Sequence, residues 1–579
     1  MCPANHDLDR LQAHLSFLYP DAELPFWMSR YTTLLEEYTA HIPPAGGFAL
    51  NETSQLLITY GDMVQKGDQP HLQTLHQFLN AYAADVISLV HILPFYPYTS
   101  DDGFSVVDYL QVRSDLGDWA DVESLSRDFA LAFDAVFNHI SSQSQWFQDY
   151  LAGVEAVQGF FWDVDPAADL SLVVRPRQHP LLTPYDSRMG RRHIWTTFSA
   201  DQIDLNFSDP QLLWEITRVL LAYLAKGAKV VRLDAIAFMW KEIGTTCLHL
   251  PQTHEMIKLF RTVTDAVAPH VVLLTETNVP HRENVAYFGN GRDEAHMVYQ
   301  FPLPPLTAHT MIRGTGAHTM IRGTGAHLTA WATALDEPEA DNTYLNFLAS
   351  HDGVGVRPAT DLLPPDEVEF LVQAAQDHGG RVSYKDNGDG TQSPYELNIN
   401  YFDLVTGHLS TAEGLNSFLC AHSILMAMPG VPALYFHSLF GSRGSPEGVE
   451  QTGHNRTINR EKVTWERITQ ELSEPDHLRA QIYRRLIAML RVRRSYTAFH
   501  PKSGFRIHHW GDNLFVIERG IQTASRLWAI HNVSARPQSL SQRPHQLPQR
   551  AWLDLHRQHT LETSDILLPP RSFVWLQAV

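Results

Sequence analysis

Between Ser54 and Arg494 short apolar runs alternate with longer amphipathic segments. The runs are Leu56-Leu-Ile-Thr-Tyr60, Val86-Ile-Ser-Leu-Val-His-Ile-Leu-Pro94, Leu131-Ala-Phe-Asp-Ala-Val136, Val230-Val-Arg-Leu-Asp-Ala235, Val271-Val-Leu-Leu-Thr-Glu276, Met297-Val-Tyr-Gln-Phe301, Tyr344-Leu-Asn-Phe-Leu348 and Val431-Pro-Ala-Leu-Tyr-Phe436. Eight strands in alternation with helices predict an α/β fold, a (β/α)8 barrel over residues 54–500, in preference to an open doubly wound sheet. Residues 8–50 carry apolar and aromatic positions at helical intervals and close on Pro43-Pro44-Ala-Gly-Gly, so 1–53 is expected to be a helical extension ending in a linker. Beyond the barrel, runs such as Leu514-Phe-Val-Ile-Glu518 and Leu527-Trp-Ala-Ile530 predict a small β domain over 501–579.

Two stretches break the alternation. Residues 138–198, rich in aromatics and Arg, and 360–416, with the turn-forming Lys385-Asp-Asn-Gly-Asp-Gly390, read as insertions after the third and seventh strands. A third irregularity is a repeat: Ala308-His-Thr-Met-Ile-Arg-Gly-Thr-Gly316 recurs unchanged as residues 317–325. Four glycines (Gly314, Gly316, Gly323 and Gly325) argue against one continuous helix through both copies, and one copy is expected to bulge outward.

The formal net charge of −20 over 579 residues disfavours nucleic acid and anionic membranes as partners, since both call for clustered Lys and Arg. An anionic substrate would need a local basic pocket. Three scattered cysteines (Cys2, Cys247 and Cys420) support neither a disulfide framework nor a zinc cage. No apolar run reaches the roughly 20 residues of a membrane span, and the N-terminus lacks a secretory pattern, so a cytoplasmic enzyme is expected.

Active sites of (β/α)8 barrels lie at the carboxyl ends of the strands. Four such ends carry polar side chains here: Asp134 to His139 after the third strand, Arg232-Leu-Asp234 on the fourth, Thr275-Glu276-Thr-Asn278 on the fifth and Ser350-His351-Asp352 after the seventh. Arg232 and Asp234 are two apart on one strand and so share a face, which predicts that the guanidinium keeps the Asp234 carboxylate ionised and its pKa low. Gathering carboxylates, histidines and an arginine at one mouth costs stability unless a reaction uses them.

These four segments resemble the signature regions of the α-amylase superfamily, glycoside hydrolase family 13, over about residues 54–500. The resemblance implies Asp234 as nucleophile, Glu276 as general acid/base and Asp352 as stabiliser of the transition state, in a double displacement that retains the α configuration. By the same resemblance Arg232, His139 and His351 hold the glucosyl ring and the nucleophile. It implies no cofactor and no metal.

Within the superfamily the chain looks most like the sucrose phosphorylase subfamily, through His91-Ile-Leu-Pro-Phe-Tyr-Pro97, Ser100-Asp-Asp-Gly-Phe104, Arg175-Pro-Arg177, Gln202-Ile-Asp-Leu-Asn206 and Arg456-Thr-Ile-Asn-Arg460. That likeness implies that Asp101, His139 and Arg456 grip the far edge of the glucose, with Gln202 among the substrate-binding residues. It places Phe104 and Phe198 as an apolar wall, and Arg177 and Tyr395 as phosphate ligands. The partners implied are an α-glucoside and inorganic phosphate, for a monomer or homodimer.

Glu396 and Asn278 stand where sucrose phosphorylases have glutamine and histidine, so the acceptor side differs from one built for fructose. Glu276-Thr-Asn-Val-Pro280, Met297-Val-Tyr-Gln-Phe301 and Ser393-Pro-Tyr-Glu-Leu-Asn398 look more like glucosylglycerate phosphorylases of the same subfamily. Glucosylglycerol phosphorylase, sucrose or sucrose 6-phosphate phosphorylase and a plain α-glucoside hydrolase stay as alternatives. Charge points both ways: Glu396 is expected to repel a glycerate carboxylate, and Arg177, with Arg191 or Arg192, to attract it.

Overall fold

A computed structural model describes residues 5–313, 325–339, 341–387, 389–541, 547 and 551–579. The eight apolar runs form a closed barrel of parallel strands: β1 (Leu56–Thr59), β2 (Leu89–Ile92), β3 (Ala130–Ala135), β4 (Val230–Leu233), β5 (Val272–Thr275), β6 (Met297–Tyr299), β7 (Thr343–Asn346) and β8 (Val431–Tyr435). Each pairs with its neighbours in sequence and β8 closes on β1, in the register Leu56 to Ala433 and Ile58 to Tyr435. Nearly every strand residue is buried, because the barrel interior covers one face and the surrounding helices the other; this is why the runs are continuously apolar instead of alternating. The (β/α)8 architecture expected from the periodicity is the one observed.

Ahead of the barrel lie helices α1 (Asn5–Leu18) and α2 (Leu24–Thr39). Leu11, Leu15 and Leu18 of α1 fall on one stripe and are buried, as are Tyr31, Leu34 and Leu35 of α2. Polar contacts fix the pair to the outside of the barrel: His14 Nδ1 lies 2.6 Å from Glu255 Oε1, the Tyr19 hydroxyl donates to Phe207 O at 2.8 Å, and the Arg30 guanidinium sits 3.9 Å over the Trp214 ring. This extension therefore braces the helices behind β3 and β4.

Two excursions shape that mouth. Between β3 and β4, His139–Ser141 pairs antiparallel with Gln202–Asp204, and a hairpin of Leu182–Ser187 and Gly190–Trp195 covers a small core of Val164, Val173, Leu181, Trp195 and Cys247. After β7, Val354–Gly355 pairs with Gln392–Asn398, which pairs with Arg381–Asp386, in a three-stranded antiparallel sheet. Gly353 is required there: its φ is +94°, and a Cβ would stand 2.3 Å from Leu397 O.

At the C-terminus a six-stranded antiparallel sheet builds a small core of its own on one face with Trp510, Trp528 and Trp552, and joins the main core through Phe515 and Trp575 on the other. It docks on the helix Thr411–Ala427, where Trp575 Nε1 donates to Ser423 Oγ at 2.9 Å. Of the duplicated nonapeptide only its borders are described: one helix ends at Arg313 and the next begins at Ala326, and the expectation of a bulged copy lies outside the described residues. Among the described residues no helix is long and apolar enough to cross a membrane.

Candidate active site

Fifteen of the side chains singled out from the sequence line one cleft at the carboxyl ends of the strands, with about 700 Å³ of atom-free space. Its floor is built by β4. Arg232 Nη1 donates to Asp234 Oδ1 at 2.7 Å, and the same nitrogen donates to Asp134 Oδ1 at the end of β3. Asp134 is fully buried and also meets His91 Nε2 at 2.7 Å.

This sharing corrects the expectation for Asp234. Burial pushes its carboxyl above the usual carboxylate range, and the pull of Arg232 does not overcome this because Asp134 both shares the guanidinium and repels Asp234. The low pKa belongs to Asp134 instead: Arg232 and then His91 outweigh its burial.

Just past β4 the chain turns sharply. Ala235 takes a left-handed φ of +48°, a costly conformation for a residue with a Cβ, and its N–H donates to Glu276 Oε2 at 3.1 Å. Glu276 therefore stands beside Asp234. Burial, then the negative charges of Asp234 and Asp352, raise its pKa to about 7 against the pull of Arg232. Asp234 has a cation in contact and Glu276 only a backbone amide, so the proton that the pair holds near neutrality resides on Glu276.

Asp352 is held differently. Arg456 Nη1 lies 2.8 Å and Arg460 Nη2 3.4 Å from its Oδ1, and His351 Nε2 is 3.4 Å away. Burial opposes ionisation, but Arg456 and Arg460, with Arg232 behind them, keep this carboxyl far below the usual range. His351 is itself neutral, its pKa lowered to about 3 mainly by burial, and it stacks on Phe104 at 4.8 Å with the rings 2° from parallel.

Phe104 is presented by a strained loop: Asp101 and Asp102 have φ of +50° and +48°, and a Cβ on Gly103 would lie 2.6 Å from Pro94 O. Arg460 clasps both aspartates, and Arg456 reaches Asp101 at 3.3 Å. The backbone carbonyl of Phe104 accepts from His139 Nε2 at 2.8 Å and from Gln202 Nε2 at 2.9 Å. Phe198 leans against His139, with ring centroids 5.3 Å apart.

Toward the opening, Arg177 lies 5.2 Å over the Tyr395 ring and 6.0 Å from Phe198. Asn278 presents a buried Oδ1 that has no hydrogen-bond partner among the described residues, and Gly355 makes room for it, since a Cβ there would be 2.9 Å away. Two charge expectations fail here. Glu396 is not a free carboxylate facing the acceptor: it is 3% exposed and bound by Arg456 Nε and Nη2 at 3.0 and 2.9 Å, with Asn398 Nδ2 at 2.9 Å, so its repulsion is spent locally. Arg191 and Arg192 sit on the hairpin away from the cleft, where Arg192 pairs with Asp163 at 2.7 Å. Sequence reasoning passed over Arg357, which does line the cleft; an arginine in a turn-rich loop has no local signature that separates it from a solvated one.

The raised pKa of Glu276 predicts two pH effects. A step that needs its proton should slow as the pH rises through about 7. For stability the sign is the same: the folded state holds this proton more tightly than the unfolded chain, so the penalty for ionising it is absent below about pH 4.5 and complete above about pH 7. Glu276→Gln, which stays neutral, should therefore be more stable than the parent at pH 8, by about 2 kcal/mol, and show no such gain at pH 4. Denaturant unfolding at the two pH values checks this.

The α-amylase catalytic-domain family model matches residues 77–359. The chain is 45% identical to the glucosylglycerate phosphorylase of Escherichia coli K12, over 91% of this chain and 92% of that protein. It is 46% identical to the glucosylglycerate phosphorylase of Allomeiothermus silvanus, over 91% and 93%. Among solved structures, the sucrose 6F-phosphate phosphorylase from Thermoanaerobacter thermosaccharolyticum superposes with a TM-score of 0.72 at 24% identity, covering 84% of this chain and 94% of that one.

Proposed function

The chain belongs to the α-amylase family, glycoside hydrolase family 13, in its sucrose phosphorylase branch, and from that premise we propose how its side chains divide the work of phosphorolysis. Its activity is that of a glucosylglycerate phosphorylase, a glycosyl transfer from glucosylglycerate to phosphate that yields glucose 1-phosphate and glycerate. The observation that carries this reading is the near full-length similarity to proteins of that activity, and the cationic opening of the cleft supports it.

Asp234 attacks the anomeric carbon while Glu276 gives its proton to the departing glycerate oxygen, leaving an inverted glucosyl ester on Asp234. The carbon–oxygen bond to glycerate breaks as the bond to the carboxylate forms. Phosphate then attacks the same carbon and displaces Asp234, while the ionised Glu276 takes a proton from the incoming hydrogen phosphate. Two inversions restore the α configuration.

Arg232 steadies the ionised nucleophile, and Asp352, held negative by its arginines, offsets the positive charge that develops on the ring. Asp101 and Arg456, with His139, His351 and Gln202, supply hydrogen bonds for the glucose hydroxyls. Phe104 and Phe198 exclude bulk water, which favours transfer over hydrolysis. Arg177 and Tyr395 receive the phosphate: a guanidinium already stacked on two rings has little freedom left to lose when it binds a dianion. Cys247 and Cys420 are buried free thiols, which fits a reducing compartment such as the cytoplasm.

With glucosylglycerate as substrate, glucose 1-phosphate should accumulate only when phosphate is present. Glucose release at the same rate without phosphate would make the enzyme a hydrolase. Arg177→Leu is expected to raise the KM for phosphate about 10- to 100-fold and to shift the product from glucose 1-phosphate toward free glucose; an unchanged product ratio would remove Arg177 from this role.

A further inference from the structure

We propose that Arg357, supported by Lys385, is the clamp for the carboxylate of the acceptor acid, and that it is separate from the Arg177 site that takes phosphate; the inference rests on glycerate being the acceptor. Arg357 opens the short helix Arg357–Ala359 directly after the strand Val354–Gly355. Its backbone is pinned beside the cleft. Val356 N donates to Tyr395 O at 2.9 Å, and Gly355 packs against Asn278, two residues beyond Glu276.

Charge pairing separates Arg357, together with Arg177, from Arg232 and Arg456 in the same wall. Arg232 is matched by two aspartates and Arg456 by three carboxylates. Arg357 and Lys385 have no carboxylate within ion-pair distance among the described residues, although the chain carries a net charge of −20. Lys385 pairs with Ser393 on the strand Gln392–Asn398, whose Tyr395 carbonyl holds Val356, and burial and then Arg357 depress its ammonium pKa. His249, also within reach of Arg357, is kept neutral by burial and adds no further positive charge. Two like charges set side by side without a counter-ion cost stability, and an anion between them removes the cost. The buried, unpartnered Asn278 Oδ1 adds an acceptor for a hydroxyl of the same ligand.

Reach assigns the two anions. The attacking phosphate oxygen bonds directly to the anomeric carbon, so its phosphorus is one bond from the glycosidic oxygen. The glycerate carboxylate is one carbon further out. Arg177, stacked on Phe198, which itself leans on His139, is anchored to the wall of the glucose subsite. Arg357 lines the cleft beside Tyr395 and Asn278, through its neighbours Val356 and Gly355. The anion bonded to the anomeric carbon fits the guanidinium held against the glucose wall, and Arg357, on the Asn278 side, fits the carboxylate.

The test is the synthetic direction, with α-glucose 1-phosphate as donor and D-glycerate as acceptor, on Arg357→Leu, Arg357→Lys and Lys385→Met. Arg357→Leu should raise the KM for glycerate about 10- to 100-fold while the KM for phosphate, measured in phosphorolysis, moves less than about threefold. Arg357→Lys should recover part of the loss, and Lys385→Met should shift the glycerate KM in the same direction by a smaller factor. A phosphate KM that rises as much as that for glycerate, or a glycerate KM unmoved in all three variants, overturns the assignment. If Arg357→Leu fails to fold by thermal melting, the other two variants decide in the same way. A parent enzyme inactive on glycerate would overturn the glucosylglycerate reading and this inference with it, whereas an active parent with insensitive variants overturns the inference alone.

Discussion

Asp234→Asn is expected to lose glucosyl transfer by on the order of 10⁴-fold or more in kcat, with every donor, while the protein stays folded. The amide keeps the shape of the carboxylate and can still meet Arg232, so the barrel has no reason to open. It cannot form a glucosyl ester. The substitution also removes a buried negative charge that raises the pKa of Glu276, so the acid should titrate lower in the variant. Kinetics with glucosylglycerate, with α-glucose 1-phosphate and with α-glucosyl fluoride check the loss, and turnover within tenfold of the parent on any of them would refute the nucleophile assignment.

The second large effect concerns Glu276. Glu276→Gln should cut phosphorolysis of glucosylglycerate by about 10²- to 10⁴-fold, because glycerate is a poor leaving group without a proton. Fluoride needs none. With α-glucosyl fluoride the first step should return close to the parental rate, and the fall in rate above about pH 7 should be missing from the parent enzyme's profile on that donor. Equal loss on both donors would mean that Glu276 does something other than donate a proton.

The barrel and the main catalytic groups could be read from the chain because their signals are local. A strand buried on both faces must be apolar throughout, as Val272–Thr275 is, and an acidic residue placed directly after such a run, as Glu276 is, stands at the mouth. The errors arose where a charge depends on a partner far away in the chain. Arg232 looked like the private counter-ion of Asp234 because it is two residues away; its other partner, Asp134, is 98 residues back and takes much of its charge. Glu396 looked free because Arg456, which neutralises it, lies 60 residues ahead across an inserted sheet. Arg357 gave no sign at all, since what marks it is that no carboxylate among the described residues comes within ion-pair distance of it once the chain has folded. Periodicity reports which face a residue occupies, not which distant charge will meet it there.

The most direct test of the whole account is phosphate release from α-glucose 1-phosphate in separate reactions with D-glycerate, glycerol, fructose and fructose 6-phosphate. Release that is fast with D-glycerate and close to the acceptor-free rate with the other three is the predicted result. Release as fast with glycerol or fructose as with glycerate, or equally fast with no acceptor, would contradict it.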